Sequence, residues 1–510
     1  MNQNGIYRMD YPDPDVIRVK NTYYMVTTTM HFMPGCEILS SYDLLHWEHV
    51  CYVYETLDST PSQRLEGENH IYGKGMWAAS LRFHKDTFYV LFVANDTRKT
   101  YLYQTKNILG TWDKSYVSGF YHDASLLFDS DDKVYLVYGN KEIWLTELEK
   151  DLSGPKENGL HRMILNDENN EILGYEGAHV YKIFDRYYVF LIHSDAHKWK
   201  RIQACFVADH LEGEFQGGDI FDYDASYLNQ GIAQGGIVDT PSGDWYAMLF
   251  QDKGAIGRVP VLIQVTWKDA YPVFHTSALD IPTLLSQSTK PFHHYKRLTA
   301  SDDFRWEETS ANTLKPKYVW QWNHEPNNNL WDIDAIKGCL FIRTDKICKN
   351  LWQAVNTLTQ RMRYPACEAY VTVNARKLKE GDFAGISAFI GNYAMIAITK
   401  EKDKYFVCMH GKQTEENTLQ PETNINFTPV EYARIPITDE EVTLMVRVDF
   451  TNQKDSAEFF YESKGYFRKL GVTHSLYFRL DHFTGCRFGL FCYSTKQTGG
   501  QAEFMNFVYV

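Results

Sequence analysis

The sequence of 510 residues lacks most of the signatures that would assign it to a common functional class. Its nine cysteines (Cys36, Cys51, Cys205, Cys339, Cys348, Cys367, Cys408, Cys486 and Cys492) include no CxxC pair. An odd, dispersed set fits reduced thiols better than a disulfide framework or a zinc site. There is no basic run interleaved with aromatics, and the net charge is −13, so nucleic acid is not an expected partner. Gly-rich phosphate loops and strand–helix alternation are missing, which argues against a nucleotide-binding fold. No apolar run approaches the length of a membrane span, so no membrane partner is expected. The stretch MNQNGIYRMDYPDPDVIRV has neither a basic n-region nor an apolar h-region. Together with the reduced thiols this makes the cytoplasm the expected location; secretion would require a leader already removed.

What the chain does have is aromatic and aliphatic sequence in short runs. Hydrophobic residues make up 44%, enough for a sizeable core, and aromatics reach 15%. Such a load suits pleated sheet, and it also suits stacking on sugar faces. One pattern repeats through the first 290 or so residues: NTYYMV, DTFYVLF, DKVYLVY, DRYYVFLI and GDWYAMLF, each a polar turn followed by a strand. The spacing, about 45 to 65 residues, fits a propeller blade with variable loops, and five copies imply five blades. Before each copy sits a segment suited to the innermost strand of its blade: PDPDVIRV, MWAASLRF, HDASLLF, YEGAHVYK and QGGIVDT.

Residues 283–300 break the repeat and read as a linker. From Ser301 about a dozen alternating strands with polar turns predict a β-sandwich of roughly 200 residues. The expected architecture is all-β: a five-bladed β-propeller over 1–285, a linker over 286–300 and a sandwich over 301–510. Trp320, Trp322 and Trp331 are expected in the sandwich core rather than on a binding platform.

Innermost strands line the axis of a propeller, so an acidic residue at the head of one points towards a shared centre. Asp13, Asp123 and Glu176 hold that position in blades one, three and four. Each has an ordinary alternative: a turn residue between Pro12 and Pro14, a strand-end cap, or a strand carboxylate. Three carboxyls at equivalent repeat positions nevertheless make a set suited to glycosidic bond hydrolysis. That reaction needs one acid to protonate the leaving oxygen and one carboxylate to activate water or attack carbon. A third carboxylate can raise the acid's pKa by like-charge repulsion.

The ordered motifs PDPDVIR, TTTMHFMPGCEILSSYDLLHW, GMWAASLRFHKDTFYV, HDASLLFDSDDKVYLVYG, YEGAHVYK and GRVPVLIQVTW resemble glycoside hydrolase family 43. The resemblance covers nearly the whole chain. It is strongest to β-xylosidase and α-L-arabinofuranosidase members carrying a C-terminal concanavalin-like β-sandwich. It implies an inverting, exo-acting hydrolase on arabinose- or xylose-containing oligosaccharides, with Asp13 as general base, Glu176 as general acid and Asp123 tuning that acid. The resemblance also implies substrate contacts. An aromatic before the Pro-Gly of blade one lines the sugar pocket in relatives, here Phe32 with Met33 beside it, and Trp77 and Arg258 match further contacts. A buried Arg258 wants a carboxylate partner.

Two departures stand out. Trp77-Ala78-Ala79 replaces the relatives' Trp-Ala-Pro. Gln234 stands where many relatives have a histidine that helps hold a metal or water cluster in the channel. A Ca2+ ion at Gln234 is therefore allowed by amide chemistry but not required, and no cofactor is expected to be essential. His179 reads as packing, because strand alternation sets it opposite Glu176 and Ala178. The polar loop from Gln63 to Lys74 is expected to shape the pocket rim, through His70 and Tyr72. Endo-cleavage of arabinan would need an open groove, and a sugar-binding module without activity would not need all three acids. Invertase-type propellers use a covalent nucleophile and motifs missing here. Self-association is left open.

Overall fold

The computed structural model describes residues 6–306, 314–413 and 424–510. Met1–Gly5 lie outside them. Five antiparallel four-stranded sheets follow one another along the first half of the chain. Their innermost strands are Asp15–Val19, Met76–His84, Ser125–Phe128, Glu176–Ile183 and Ile237–Asp239. These are the five blades expected from the repeat.

The blades are held by apolar layers between neighbours rather than by one central core. Between blades three and four, Leu127, Tyr135 and Val137 pack with Ala178, Val180 and Val189. Between blades one and five, Val16, Met25 and Leu39 meet Val238, Met248 and Leu262, closing the ring with Ile6 and Met9 from the N-terminal segment. Near the axis, polar groups replace apolar ones. Asp15 is wholly buried and accepts hydrogen bonds from Leu81 N (2.8 Å) and Arg82 Nη1 (2.7 Å). Arg82 continues to Ser125 Oγ (2.7 Å) and to the carbonyl of Leu126 (2.7 Å), tying blades one, two and three together.

His179 belongs to this axial network. Its Nδ1 lies 3.1 Å from Asp15 Oδ1, so the packing role expected of it is incomplete. The register of its strand shifts between Glu176 and His179, and a bulge of this kind overturns the simple alternation of faces.

After the last propeller strand, Tyr271–Phe274, and a short helix, Ile281–Ser286, the chain builds a sandwich of two large antiparallel sheets. Alternation is strict in strands such as Ala366–Asn374, whose inward residues Cys367, Ala369, Val371 and Val373 are buried. Trp320, Trp322 and Trp331 lie in this core, as expected.

The two units share a sheet. Phe32–Met33, from blade one, pairs with Gln321–Asn323 and becomes the edge strand of one sandwich sheet. This corrects the expectation that Phe32 and Met33 line a sugar pocket. Phe32 is 0% and Met33 1% exposed, and the Arg487 guanidinium covers the Phe32 ring at 3.7 Å. The Gln63–Lys74 loop is drawn into the same junction instead of shaping a rim. Tyr72 is buried; its hydroxyl donates to the carbonyl of Trp352 (2.8 Å) and accepts from Asn323 Nδ2 (2.7 Å). Among the described residues, no helix is long and apolar enough to cross a membrane.

Candidate active site

A cavity of about 1340 Å3 opens where the innermost strands begin, and Asp13, Asp123 and Glu176 all line it. Trp77, Gln234 and Arg258 line it too, whereas Phe32 and Met33 do not. From the segment that carries Phe32 and Met33, Met30 reaches the cavity. Local backbone explains how short loops aim these groups. Asp13 (φ 51°), Asp123 (φ 47°) and Gln234 (φ 57°) all adopt left-handed conformations, which are costly for residues with a side chain. Such strain persists only where the surroundings over-determine it, and it gathers at functional sites. At Gly177 (φ 64°) a Cβ would come within 2.9 Å of the Gln234 side chain, so only glycine fits after Glu176.

Asp13 is held from two sides. Arg258 Nη1 lies 2.8 and 3.0 Å from its two oxygens, and Thr28 Oγ1 donates to Oδ2 at 2.7 Å. Arg258 is itself sandwiched: the Phe483 ring, from the sandwich unit, lies 4.2 Å from the guanidinium. The buried arginine thus has the carboxylate partner its burial requires.

Glu176 is more open, with its side chain 21% exposed. Asn140 Nδ2 donates to its Oε2, and His122 Nε2 lies 3.5 Å from the same atom. His122 also stands 3.6 Å from Asp123 Oδ2, which accepts from Gly177 N at 3.2 Å. Burial, and then the nearby charges of Glu176 and Asp13, push the Asp123 carboxyl up to about 7 against the opposing pull of His122. For His122, burial works against the charged ring, but the carboxylates of Asp123 and Glu176 outweigh it and raise the imidazole to about 9. His122 thus stands between the Asp123 and Glu176 carboxyls and within reach of both.

Further residues in the wall were not legible in advance. Arg201, ion-paired with Asp252, lines the cavity beside Gln230 and Tyr227. Burial and the nearby Arg258 lower its guanidinium to about 10. From the sandwich come Gln453, Asp455, Phe478, Arg479, Leu480 and Phe483. His122 had a sequence signal, since it immediately precedes Asp123 in HDAS. Arg201 and Phe483 had none, because their positions depend on loops and on the second unit.

Gln234 is fixed by its backbone N–H, which donates to Gln203 Oε1 at 2.7 Å. Among the described residues, two groups bring three metal-type donors within 4.8 Å: Cys408, His410 and Glu431, and His122, Asp123 and Glu176. The second is the acid cluster itself, so its closeness has an explanation in the carboxylates alone.

A propeller whose central cavity gathers three carboxyls, one clamped by arginine and one by amide and imidazole, defines a glycoside hydrolase. Residues 2–272 match the glycosyl hydrolases family 43, and residues 310–510 match the beta xylosidase C-terminal concanavalin A-like domain. The chain belongs to family 43. It is similar to a beta-xylosidase of Formosa agariphila, 24% identical over 99% of this chain and 90% of that one. A non-reducing end alpha-L-arabinofuranosidase of Bacteroides ovatus is 24% identical over 65% of this chain and 63% of its own. Among solved structures, a bifunctional GH43-CE protein of Bacteroides eggerthii superposes with a TM-score of 0.89 at 36% identity, covering all of this chain. The present chain spans 64% of that longer protein. An engineered GH43 enzyme with endo-xylanase and exo-arabinofuranosidase activity gives 0.85 at 26% identity, with 100% and 99% of the two chains covered.

Proposed function

We propose that the protein is an exo-acting, inverting glycosidase that releases terminal α-L-arabinofuranosyl or β-D-xylosyl residues from plant hemicellulose oligosaccharides. The observation that carries this reading is the convergence of Asp13, Asp123 and Glu176 on one cavity walled by both units. Asp13, oriented by Arg258 and Thr28, takes a proton from a water that attacks the anomeric carbon. Glu176, reached by Asn140 and His122, protonates the departing oxygen. Both events belong to one displacement, so the sugar leaves with inverted configuration and no covalent intermediate forms. Asp123 is the third carboxyl and orients Glu176 through the shared network around Gly177 and His122. Trp77, Gln234 and Arg258 are assigned to the terminal sugar, and the chemistry runs through side chains of this chain with no cofactor required.

Exo action is supported by the sandwich residues Phe478, Leu480 and Phe483, which wall one side of the cavity. The relatives named for xylosidase and non-reducing end arabinofuranosidase activity support the two sugars. The test is hydrolysis of p-nitrophenyl α-L-arabinofuranoside and p-nitrophenyl β-D-xyloside, with NMR of the first anomer released. Turnover of at least one with inversion is expected; release of the retained anomer would discard the mechanism.

A further inference from the structure

Two arginines stand opposite each other in the sandwich sheet that captures Phe32–Met33. Strands Leu358–Arg361 and Arg487–Ser494 are antiparallel neighbours, and their register sets Arg361 directly against Arg487. Opposed residues share one face of a sheet, and like charges in that arrangement repel. Both are buried against the propeller, Arg361 at 6% and Arg487 at 3% exposed.

Only one of the pair has a carboxylate. Arg361 Nη1 donates to Glu37 Oε2 (2.7 Å), its Nε donates to the carbonyl of Asp10 (2.9 Å), and its guanidinium lies 4.2 Å from the Tyr11 ring centre. Arg487 Nη1 has neutral acceptors instead, Gln321 Oε1 at 2.8 Å and Thr359 Oγ1 at 3.5 Å. Among the described residues, no carboxylate reaches Arg487 at ion-pair distance. Asp10 acts from further off, because Arg258 N (2.8 Å) and Gly485 N (2.8 Å) occupy its two oxygens. Burial and the neighbouring Arg361 lower the Arg487 guanidinium to about 9. A buried charge without a partner is strongly destabilising.

Three hydrogen-bond donors are left over at the same place. Arg361 Nη2, Arg487 Nε and the Tyr11 hydroxyl are each buried without an acceptor. The Tyr11 hydroxyl feels both guanidiniums: burial and the Glu37 charge push it up, while Arg361 and Arg487 pull it down. Buried polar groups are nearly always satisfied, so three orphaned donors together need an explanation. An anion offers acceptors to all three and a countercharge to Arg487, whereas a water molecule brings no charge.

We propose that Arg361, Arg487 and Tyr11 hold a small monovalent anion, chloride, between the propeller and the sandwich. A single charge answers the one guanidinium that lacks a carboxylate, and a bare ion has no donors of its own to satisfy. Sulfate would add a second charge without a partner. Tyr11 comes from the propeller segment and the arginines from the sandwich, so the ion ties the two units together and takes no part in the chemistry.

The test uses the full chain, exchanged exhaustively into sodium gluconate and titrated with sodium chloride, bromide or sulfate at fixed ionic strength. Melting temperature should rise with chloride and bromide along a binding curve, as for a ligand that binds only the folded state. Sulfate should give no such rise. Tyr11→Phe removes one hydroxyl and keeps the ring under Arg361; it should raise the chloride midpoint about tenfold. Arg487→Gln should abolish the response, and if that variant does not fold, Tyr11→Phe still decides. A crystal soaked in bromide should show an anomalous peak within hydrogen-bonding reach of Arg361 Nη2, Arg487 Nε and the Tyr11 hydroxyl. Melting curves that coincide in chloride and gluconate overturn the site. So does a midpoint unchanged in Tyr11→Phe, a response kept by Arg487→Gln, or bromide found only elsewhere.

Discussion

Arg258, from blade five, reaches Asp13 at the head of neighbouring blade one, with one guanidinium nitrogen 2.8 and 3.0 Å from the two carboxylate oxygens. Both side chains are buried, so neither can exchange its partner for water. Removing one member of a buried pair leaves an uncompensated charge, at about 3–5 kcal/mol. Arg258→Ala is therefore expected to lower the melting temperature and to reduce kcat by at least tenfold. Arg258→Lys should recover stability more than turnover, since an ammonium cannot hold Asp13 while stacking on Phe483. Thermal melts and aryl-glycoside kinetics on the two variants check this. Equal kcat in wild type and Arg258→Ala would remove the arginine from the mechanism.

Loss of the acid should depend on the leaving group. General acid catalysis contributes roughly 10²–10⁴-fold, and it matters most when the departing oxygen is basic. Glu176→Gln is expected to lower kcat/KM on oligosaccharides by at least about a hundredfold, and markedly less on 2,4-dinitrophenyl glycosides. A parallel loss on both substrates would assign Glu176 a different part.

Asp123 links activity to stability. Its carboxyl is raised from 3.8 to about 7, chiefly by burial and then by the neighbouring carboxylates. The folded state thus holds this proton more tightly than the unfolded chain does. The contribution is complete below the unfolded value and is lost as pH rises through about 7. Asp123→Asn cannot ionise, so its melting temperature should fall less than that of the wild type between about pH 4 and about pH 8. Its kcat should drop at the same time. Identical pH–stability curves for the two proteins would contradict the raised carboxyl.

The junction between the units should be acid-sensitive. His31, His324 and His482 lie in one buried aromatic cluster, with His31 ring centres 5.1 and 4.6 Å from the other two. Burial holds all three well below the ordinary histidine value of 6.5, with the nearby charge of Arg487 adding to the effect on His31 and His482. Neutral rings favour the folded state; that stability is present above about pH 6.5 and is lost as pH falls below it. Melting temperature should therefore decline from about pH 6.5 to about pH 5, and His31→Phe should flatten the decline. Differential scanning calorimetry across that range provides the readout.

Much of the fold was legible because strand periodicity is local: a polar turn followed by an aromatic and aliphatic run identifies a blade strand without its neighbours. The position of Asp13, Asp123 and Glu176 could be read for the same reason, since each heads the same strand of its blade. Phe32 and Met33 were misplaced because the sequence gives no sign that a blade-one segment is captured by a sandwich sheet. His179 was read as packing alone because the sequence gives no sign of the register shift after Glu176 or of the Asp15 contact. Arg201, Asn140 and Phe483 reach the cavity only through tertiary packing, which no spacing in their own segments encodes.

The pairing of Phe32–Met33 with Gln321–Asn323 has a consequence for how the molecule can be cut or recombined. An accessory module joined by a tether can be trimmed away or exchanged for another. Here, truncation after the propeller would unpair an edge strand, bare Phe32 and withdraw Phe483 from Arg258. The smallest unit that can turn over substrate is thus both halves together, and a chimera with a foreign sandwich would have to bring its own partner for that strand.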